Sequence, residues 1–148
     1  QYNTMVLKGN KFGNISGEKW LYEIFWYSRD ISPLEYRLLA WKAYLFGFTG
    51  VGFWNYSKTT LSQNFPSSTY LNGRQDHSVV YNGRNGNLLS SFRWESFYLG
   101  MQDYLKLKSL EQVKGKEYVR KIVSEMLSSA SDNEKKQILI DLNKEFVD

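Results

Sequence analysis

The sequence predicts an α/β fold centred on a parallel strand–helix–strand unit, and three observations predict it. A strand-like run, Trp20 to Ser28 (WLYEIFWYS), is followed by a proline-started helix from Pro33. A short charge-free run, Gly50-Val51-Gly52-Phe53-Trp54, comes next. Two strands joined through a helix within about 40 residues lie parallel and side by side. Ligands of such units bind beyond the carboxyl ends of the strands. Here those ends are Trp26-Tyr27-Ser28 and Trp54-Asn55-Tyr56.

Each element has its own signals. Residues 1–19 hold a possible short strand, Thr4 to Leu7, and then a glycine- and asparagine-rich loop. In Trp20 to Tyr27 both alternating sets of side chains are largely apolar, so both faces of this strand are expected to be covered. Glu23 is the exception: it either faces a polar rim, pairs with a Lys or Arg, or points into the mouth at the end of the strands. The helix opens on Ser32 as N-cap, Pro33 at the first position and Glu35 completing a capping box. Leu34, Leu38, Trp41, Leu45 and Phe48 recur at helical spacing, which predicts one apolar face. Gly47 supplies the left-handed stop. Gly50 to Trp54 reads as a buried strand.

Ser57 to Asn85 is a long irregular stretch with two Asn-Gly turn signals and the chain's single histidine, His77. Ser78 to Tyr81 is a plausible short strand within it. Ser91 caps a helix from Phe92 to about Leu110, with Trp94, Phe97, Met101, Tyr104/Leu105 and Lys108 at helical spacing. Lys114-Gly115 breaks that pattern. Lys116 to Ser129 is a further helix, with Val119, Ile122, Val123, Met126 and Leu127 as its apolar stripe. Ser131 and Glu134 open a last helix that buries Ile138, Leu142 and Phe146. The last two helices are expected to form an antiparallel helical hairpin. The division is residues 1–113 for the strand-containing part and 114–148 for the hairpin packed on it.

Composition narrows the function. The 148 residues suffice for one domain with a sizeable core. Aromatic content is high at 17%, with five Trp and eleven Tyr. Such rings either fill a core or stack on the flat faces of sugars. The net charge of +4 comes from the first 113 residues and forms no dense basic stripe, so nucleic acid is not the expected partner. No run approaches the roughly 18 apolar residues of a membrane span. Cysteine is absent, which excludes disulfides and thiol catalysis. His77 without cysteine makes no metal-ligand constellation, so neither metal nor cofactor is expected. The glycines lack phosphate-loop and dinucleotide spacings. Gln1 in place of an initiator Met suggests a fragment or processed product.

The run YSRDISPLEYRLLAWKAYLFGFTGVGFWNYS, followed by SVVYNGRNGNLLSSFRWESFYLGMQDYLKL, resembles the C-terminal part of the glycoside hydrolase family 123-like catalytic domain. That region occurs at the end of many bacterial polysaccharide-processing proteins. The residues carrying the resemblance are Arg37, Trp41, Gly47, Gly50, Gly52, Trp54, Tyr81, Gly83, Arg93, Glu95, Gly100, Asp103 and Tyr104. It covers about residues 20 to 112 and departs from the family pattern at Tyr98, Leu99 and Gln102. The resemblance implies a (β/α)8 barrel of about 250 residues, of which this chain holds the C-terminal portion. The two parallel strands would be the seventh and eighth. A missing N-terminal half, a partner chain or self-association through open strand edges would complete it. The implied reaction is retaining hydrolysis of a β-linked N-acetylhexosamine, with the substrate's own acetamido group as nucleophile. An adjacent Asp-Glu pair on an earlier strand serves that reaction. No Asp-Glu dipeptide occurs here, so no catalytic residue is assigned. Periplasm, cell surface or secretion in a bacterium would suit such a protein.

What the resemblance leaves to this chain is a sugar pocket. Trp26, Tyr27, Trp54 and Tyr56 lie at the expected strand ends, where a Trp stacks on a pyranose and a Tyr hydroxyl hydrogen-bonds it. Asp30 and Asp76 fall in loops at the same end and are either sugar ligands or solvated loop charges. Arg93 and Glu95 begin the helix that follows. Glu95 complements that helix's dipole; Arg93 opposes it and calls for a carboxylate partner. Two functions fit: a C-terminal piece of a glycoside hydrolase-like barrel, inactive alone, or a non-catalytic carbohydrate-binding or structural module.

Overall fold

A computed structural model of the chain describes residues 18–25, 31–54, 56–57, 78–83 and 86–146. Strand β1 (Trp20–Ile24), helix α1 (Pro33–Phe46) and strand β2 (Gly50–Trp54) form the expected unit. The strands pair in parallel, with Trp20 opposite Gly50 and Ile24 opposite Trp54. The Ser32 hydroxyl accepts the Leu34 N–H at 3.3 Å, and Gly47 closes α1 at φ 69° with its N–H on the Ala43 and Tyr44 carbonyls. The fold is thus α/β, with a two-stranded parallel sheet at its start.

Helix α1 is buried on two sides rather than along one stripe. Tyr36 and Leu39 face the sheet and pack with Leu21, Phe25, Val79 and Val80. Leu38, Trp41 and Tyr44 face the other way, into a helical core. The apolar stripe widens because α1 is a middle layer, sandwiched between sheet and helices.

Strand β3 (Val80–Asn82) pairs antiparallel with β4 (Leu88–Ser90). The expected strand at Ser78–Tyr81 is therefore half of a hairpin whose second half the sequence did not signal. Leu88–Ser90 is three residues long and exposed throughout, too short to show a period. Helix α2 (Phe92–Lys114) follows, with the Ser91 hydroxyl accepting the Trp94 N–H at 3.3 Å. It continues to Lys114, where Gly115 at φ 87° breaks it from α3 (Lys116–Ser128). Helix α4 (Asp132–Lys144) begins at Ser131, whose hydroxyl accepts the Asn133 N–H. Val119, Val123 and Met126 of α3 and Leu142 of α4 join Leu107 and Leu110 of α2 in the core that α1 enters.

The buried face of α2 differs from its apolar pattern. Met101 and Leu105 are exposed, whereas Arg93, Gly100, Asp103, Leu107 and Leu110 are buried. The cause is the closeness of α1. A Cβ on Gly100 would lie 3.0 Å from the Arg37 Cα and carbonyl carbon and nearer still to its oxygen. One turn on, the Asp103 carboxylate is 2% exposed and takes three hydrogen bonds. Arg37 grips it with two, Nε to Oδ2 at 2.6 Å and Nη2 to Oδ1 at 2.9 Å, and Trp41 Nε1 adds a third at 2.9 Å. Two parallel N–H···O bonds plus an indole donor satisfy most of the lone pairs of a carboxylate that would otherwise be costly to bury.

Among the described residues, the sheet is covered on one face only. Leu21 and Phe25 are buried against α1, while Trp20, Tyr22, Ile24 and Trp54 on the opposite face are exposed. The expectation of cover on both faces does not hold for the described residues. On the open face, large and small alternate across the strands. The Trp20 indole lies where a Cβ on Gly50 would be, 2.6 Å from its ring atoms, and Tyr22 lies 3.1 Å from the corresponding point on Gly52. Glu23 points to the α1 side, near Lys42, which also pairs with Glu35 at 3.3 Å. Burial raises the Glu23 pKa above the ordinary glutamate range, and the Lys42 charge only partly opposes this.

Two outcomes follow. Gly100→Ala forces α1 and α2 apart and lowers stability by about 3 kcal/mol, read by urea unfolding, whereas the same change at exposed Gly86 does not separate any helices. Because folding raises the Glu23 pKa, stability falls as pH climbs from the ordinary glutamate range through the raised value. Glu23→Gln removes that slope and is the more stable protein at pH 7, as melts at pH 4 and pH 7 will show.

Candidate functional site

Because β1 and β2 are parallel, their carboxyl ends lie together, Ile24 beside Trp54. Just beyond, the Tyr56 carbonyl accepts the N–H groups of Val79 at 3.1 Å and Val80 at 3.0 Å. Those two bonds pin the start of the β3–β4 hairpin to the end of β2. The N-terminus of α2 arrives at the same place, since the Tyr56 ring meets Trp94 edge-on at 5.1 Å.

Behind this end runs an unbroken series of rings. Trp94 stacks on Phe97 at 5.7 Å, Phe97 meets Phe53 at 5.0 Å, Phe53 meets Tyr36 at 5.3 Å, and Tyr36 meets Phe25 at 4.3 Å. Each offset or edge-on contact favours one ring orientation. The series ties the helix-facing side of both strands to the start of α2 and sets the position of Tyr56 at its outer end. Trp54 and Tyr56 keep 46% and 49% of their surface open. Half-open rings on a fixed backbone are suited to stacking on a flat apolar ligand face.

Arg93 is only 8% exposed. Its Nη2 donates to the Ser78 carbonyl at 2.8 Å and to the Tyr81 hydroxyl, which in turn donates to the Ser78 carbonyl at 2.9 Å. The expected carboxylate partner is not there: among the described residues no Asp or Glu lies within ion-pair distance of Arg93. Two neutral oxygens take its place. Glu95 sits in the first turn of α2, exposed, and accepts from the Ser90 hydroxyl. It complements the helix dipole as expected.

Of the residues singled out from sequence, Trp54, Tyr56, Arg93 and Glu95 are brought to the carboxyl end of the sheet. Trp26, Tyr27, Asp30 and Asp76 lie outside the described residues, as does His77. Three contributors escaped the sequence reading. Ser78 acts through its backbone carbonyl, which no side-chain pattern reveals. Tyr81 read as the residue before a turn, and Trp94 as part of a core stripe. The available signal was the joint presence of Tyr81 and Arg93 in the family pattern. Among the described residues, no group of three His, Asp or Glu side chains could hold a metal ion, and no helix is long and apolar enough to cross a membrane.

The described residues at this end of the sheet thus offer half-exposed rings, phenol and backbone oxygens, and a recessed guanidinium. Residues 25–110, more than half of the chain, match the family model described as Glycoside hydrolase 123, catalytic domain. A search of curated proteins finds no match. The matched segment spans α1, β2, the hairpin and most of α2, the elements that build this end of the sheet, and the chain belongs to the glycoside hydrolase 123 catalytic-domain family.

Proposed function

We propose that this chain is the sugar-binding C-terminal portion of a glycoside hydrolase-like (β/α)8 barrel acting on β-linked N-acetylhexosamine-type glycans. Trp54 and Tyr56 are the stacking and hydrogen-bonding groups, joined by Trp26, Tyr27, Asp30 and Asp76 in the neighbouring loops. Arg93 and Glu95 shape the mouth. The observation that carries this reading is the pair of half-open rings at the shared carboxyl end of two parallel strands, in a chain of this family.

The open face of the sheet supports the barrel. Parallel strands are almost always covered on both faces, and barrel interiors are filled by layers of large side chains. Trp20 over Gly50 and Tyr22 over Gly52 make such a layer, ready to meet further strands. Residues 1–113 are then the last strand–helix units, and residues 114–148 a helical pair packed on their outside. With no Asp-Glu pair in the sequence, the chain alone is inactive. A second reading, a non-catalytic carbohydrate-binding module, draws on the same exposed rings, since Trp20 is 65% open without any further strands.

The two readings separate on one assay. A longer protein carrying this segment after an Asp-Glu-bearing strand hydrolyses a chromogenic N-acetyl-β-hexosaminide, and the 148-residue chain does not; a binding module shows sugar affinity in the chain and no hydrolysis in either. In both, Trp54→Ala lowers affinity for N-acetylhexosamine oligosaccharides at least about tenfold by calorimetry, equivalent to about 1.4 kcal/mol. Its melting curve stays close to that of the parent, because the ring is half exposed. Unchanged affinity removes Trp54 from the site.

A further inference from the structure

We infer that two copies of this chain pair through the solvent side of α2, antiparallel about a two-fold axis between Met101 and Gln102. The pairing is independent of the sugar-binding reading, because it uses the side of α2 turned away from α1 and not the rings at the end of the sheet.

A surface helix ordinarily carries charged and polar groups on its solvent side, and α4 does so. Five of its nine exposed positions are charged, namely Asp132, Glu134, Lys136, Asp141 and Lys144. Helix α2 departs from this. Of its nine exposed positions between Tyr98 and Val113, only Lys108 is charged. That charge leans toward α1: the Lys108 Nζ bridges to Glu111 at 2.8 Å and lies over the Tyr44 ring at 5.9 Å. Tyr98, Met101 and Leu105 recur at i, i+3 and i+7, so they share one face, and Leu105 is 67% exposed. Gln102, Ser109 and Gln112 fill out that face with neutral groups. Loss of charge combined with tyrosine and methionine is the composition of an interface centre rather than of free surface.

The occupant is a second copy because the face complements itself. In an antiparallel pair, a residue meets the one equally far from the axis on the other chain. With the axis between Met101 and Gln102, Tyr98 of each copy meets Leu105 of the other. Glu95 and Lys106 lie three turns apart on one flank of α2, and in this pairing like flanks meet. Glu95 of each copy therefore comes to Lys106 of the other. Ser90 holds Glu95 and Asn143 holds Lys106, which keeps both at the rim. Two such opposite-charge contacts fix direction and register more than they add affinity. The contact runs along about 24 Å of helix, less than a standard interface provides, so the pair is a weak and concentration-dependent one.

Sedimentation velocity on the 148-residue chain tests this, over about 1–300 μM to bracket weak association. The expected result is a monomer–dimer equilibrium that Leu105→Glu weakens at least about tenfold, with circular dichroism unchanged because the residue is exposed. The absence of cysteine allows a second measurement that reads the geometry. Gln102→Cys sits beside the axis, where two copies come within disulfide reach, and it cross-links on mild oxidation. Ser109→Cys does not, since its two copies lie about 22 Å apart. A chain that stays monomeric throughout overturns the pairing. Association that survives Leu105→Glu runs through another surface, such as the open face of the sheet, and overturns it too. Equal cross-linking at positions 102 and 109 excludes the antiparallel register.

Discussion

The structure depends on the close crossing of α1 and α2. Gly100 lets the two backbones touch at Arg37, and the buried Asp103 carboxylate, held by Arg37 and Trp41, locks them there. Neither half works without the other. A side chain at position 100 would hold the helices too far apart for the hydrogen bonds, and without the bonds the approach would bury a bare carboxylate. Removing one partner from a buried pair of this kind costs about 3–5 kcal/mol, a large share of the stability of a small domain.

From that crossing the rest is positioned in turn. Tyr36 and Leu39 leave the sheet-facing side of α1 and set the parallel pair β1–β2. Leu38, Trp41 and Tyr44 leave its other side and seat α3 and α4. The N-terminal turn of α2, carried past the sheet's edge by the same crossing, delivers Arg93 and Trp94 to the carboxyl end of β2. The proposed binding surface is therefore a consequence of helix packing two layers away. The family pattern sorts accordingly. Arg37, Trp41, Gly100 and Asp103 build the crossing, Gly47 ends α1, Gly50 and Gly52 make room for Trp20 and Tyr22, and Trp54, Tyr81, Arg93 and Glu95 remain for the site.

Much of this was legible in the sequence where local chemistry decides it. Ser32-Pro33, Gly47 and Ser91 mark helix ends through single-residue capping effects, and the strand–helix–strand order dictates parallel pairing. Periodicity failed where tertiary packing overrode it. On α2 the buried positions include an arginine, a glycine and an aspartate beside Leu107 and Leu110, while Met101 and Leu105 point outward, so apolar spacing alone misplaces part of the buried face. On β1 both alternating sets are apolar, yet only Leu21 and Phe25 are covered, because the described sheet has helices on one face. Strand β4 is too short and too exposed to leave a pattern. In the site, Trp54 and Tyr56 were readable as strand-end aromatics, but the Ser78 carbonyl that holds Arg93 is a backbone group and carries no sequence signal.

The most direct test of the crossing is a double-mutant cycle on Arg37→Leu and Asp103→Leu, followed by urea unfolding. The account predicts that each single change destabilises strongly and that the double change costs little more than one of them, a coupling above about 2 kcal/mol. Single effects that simply add, to within about 0.5 kcal/mol, would contradict it.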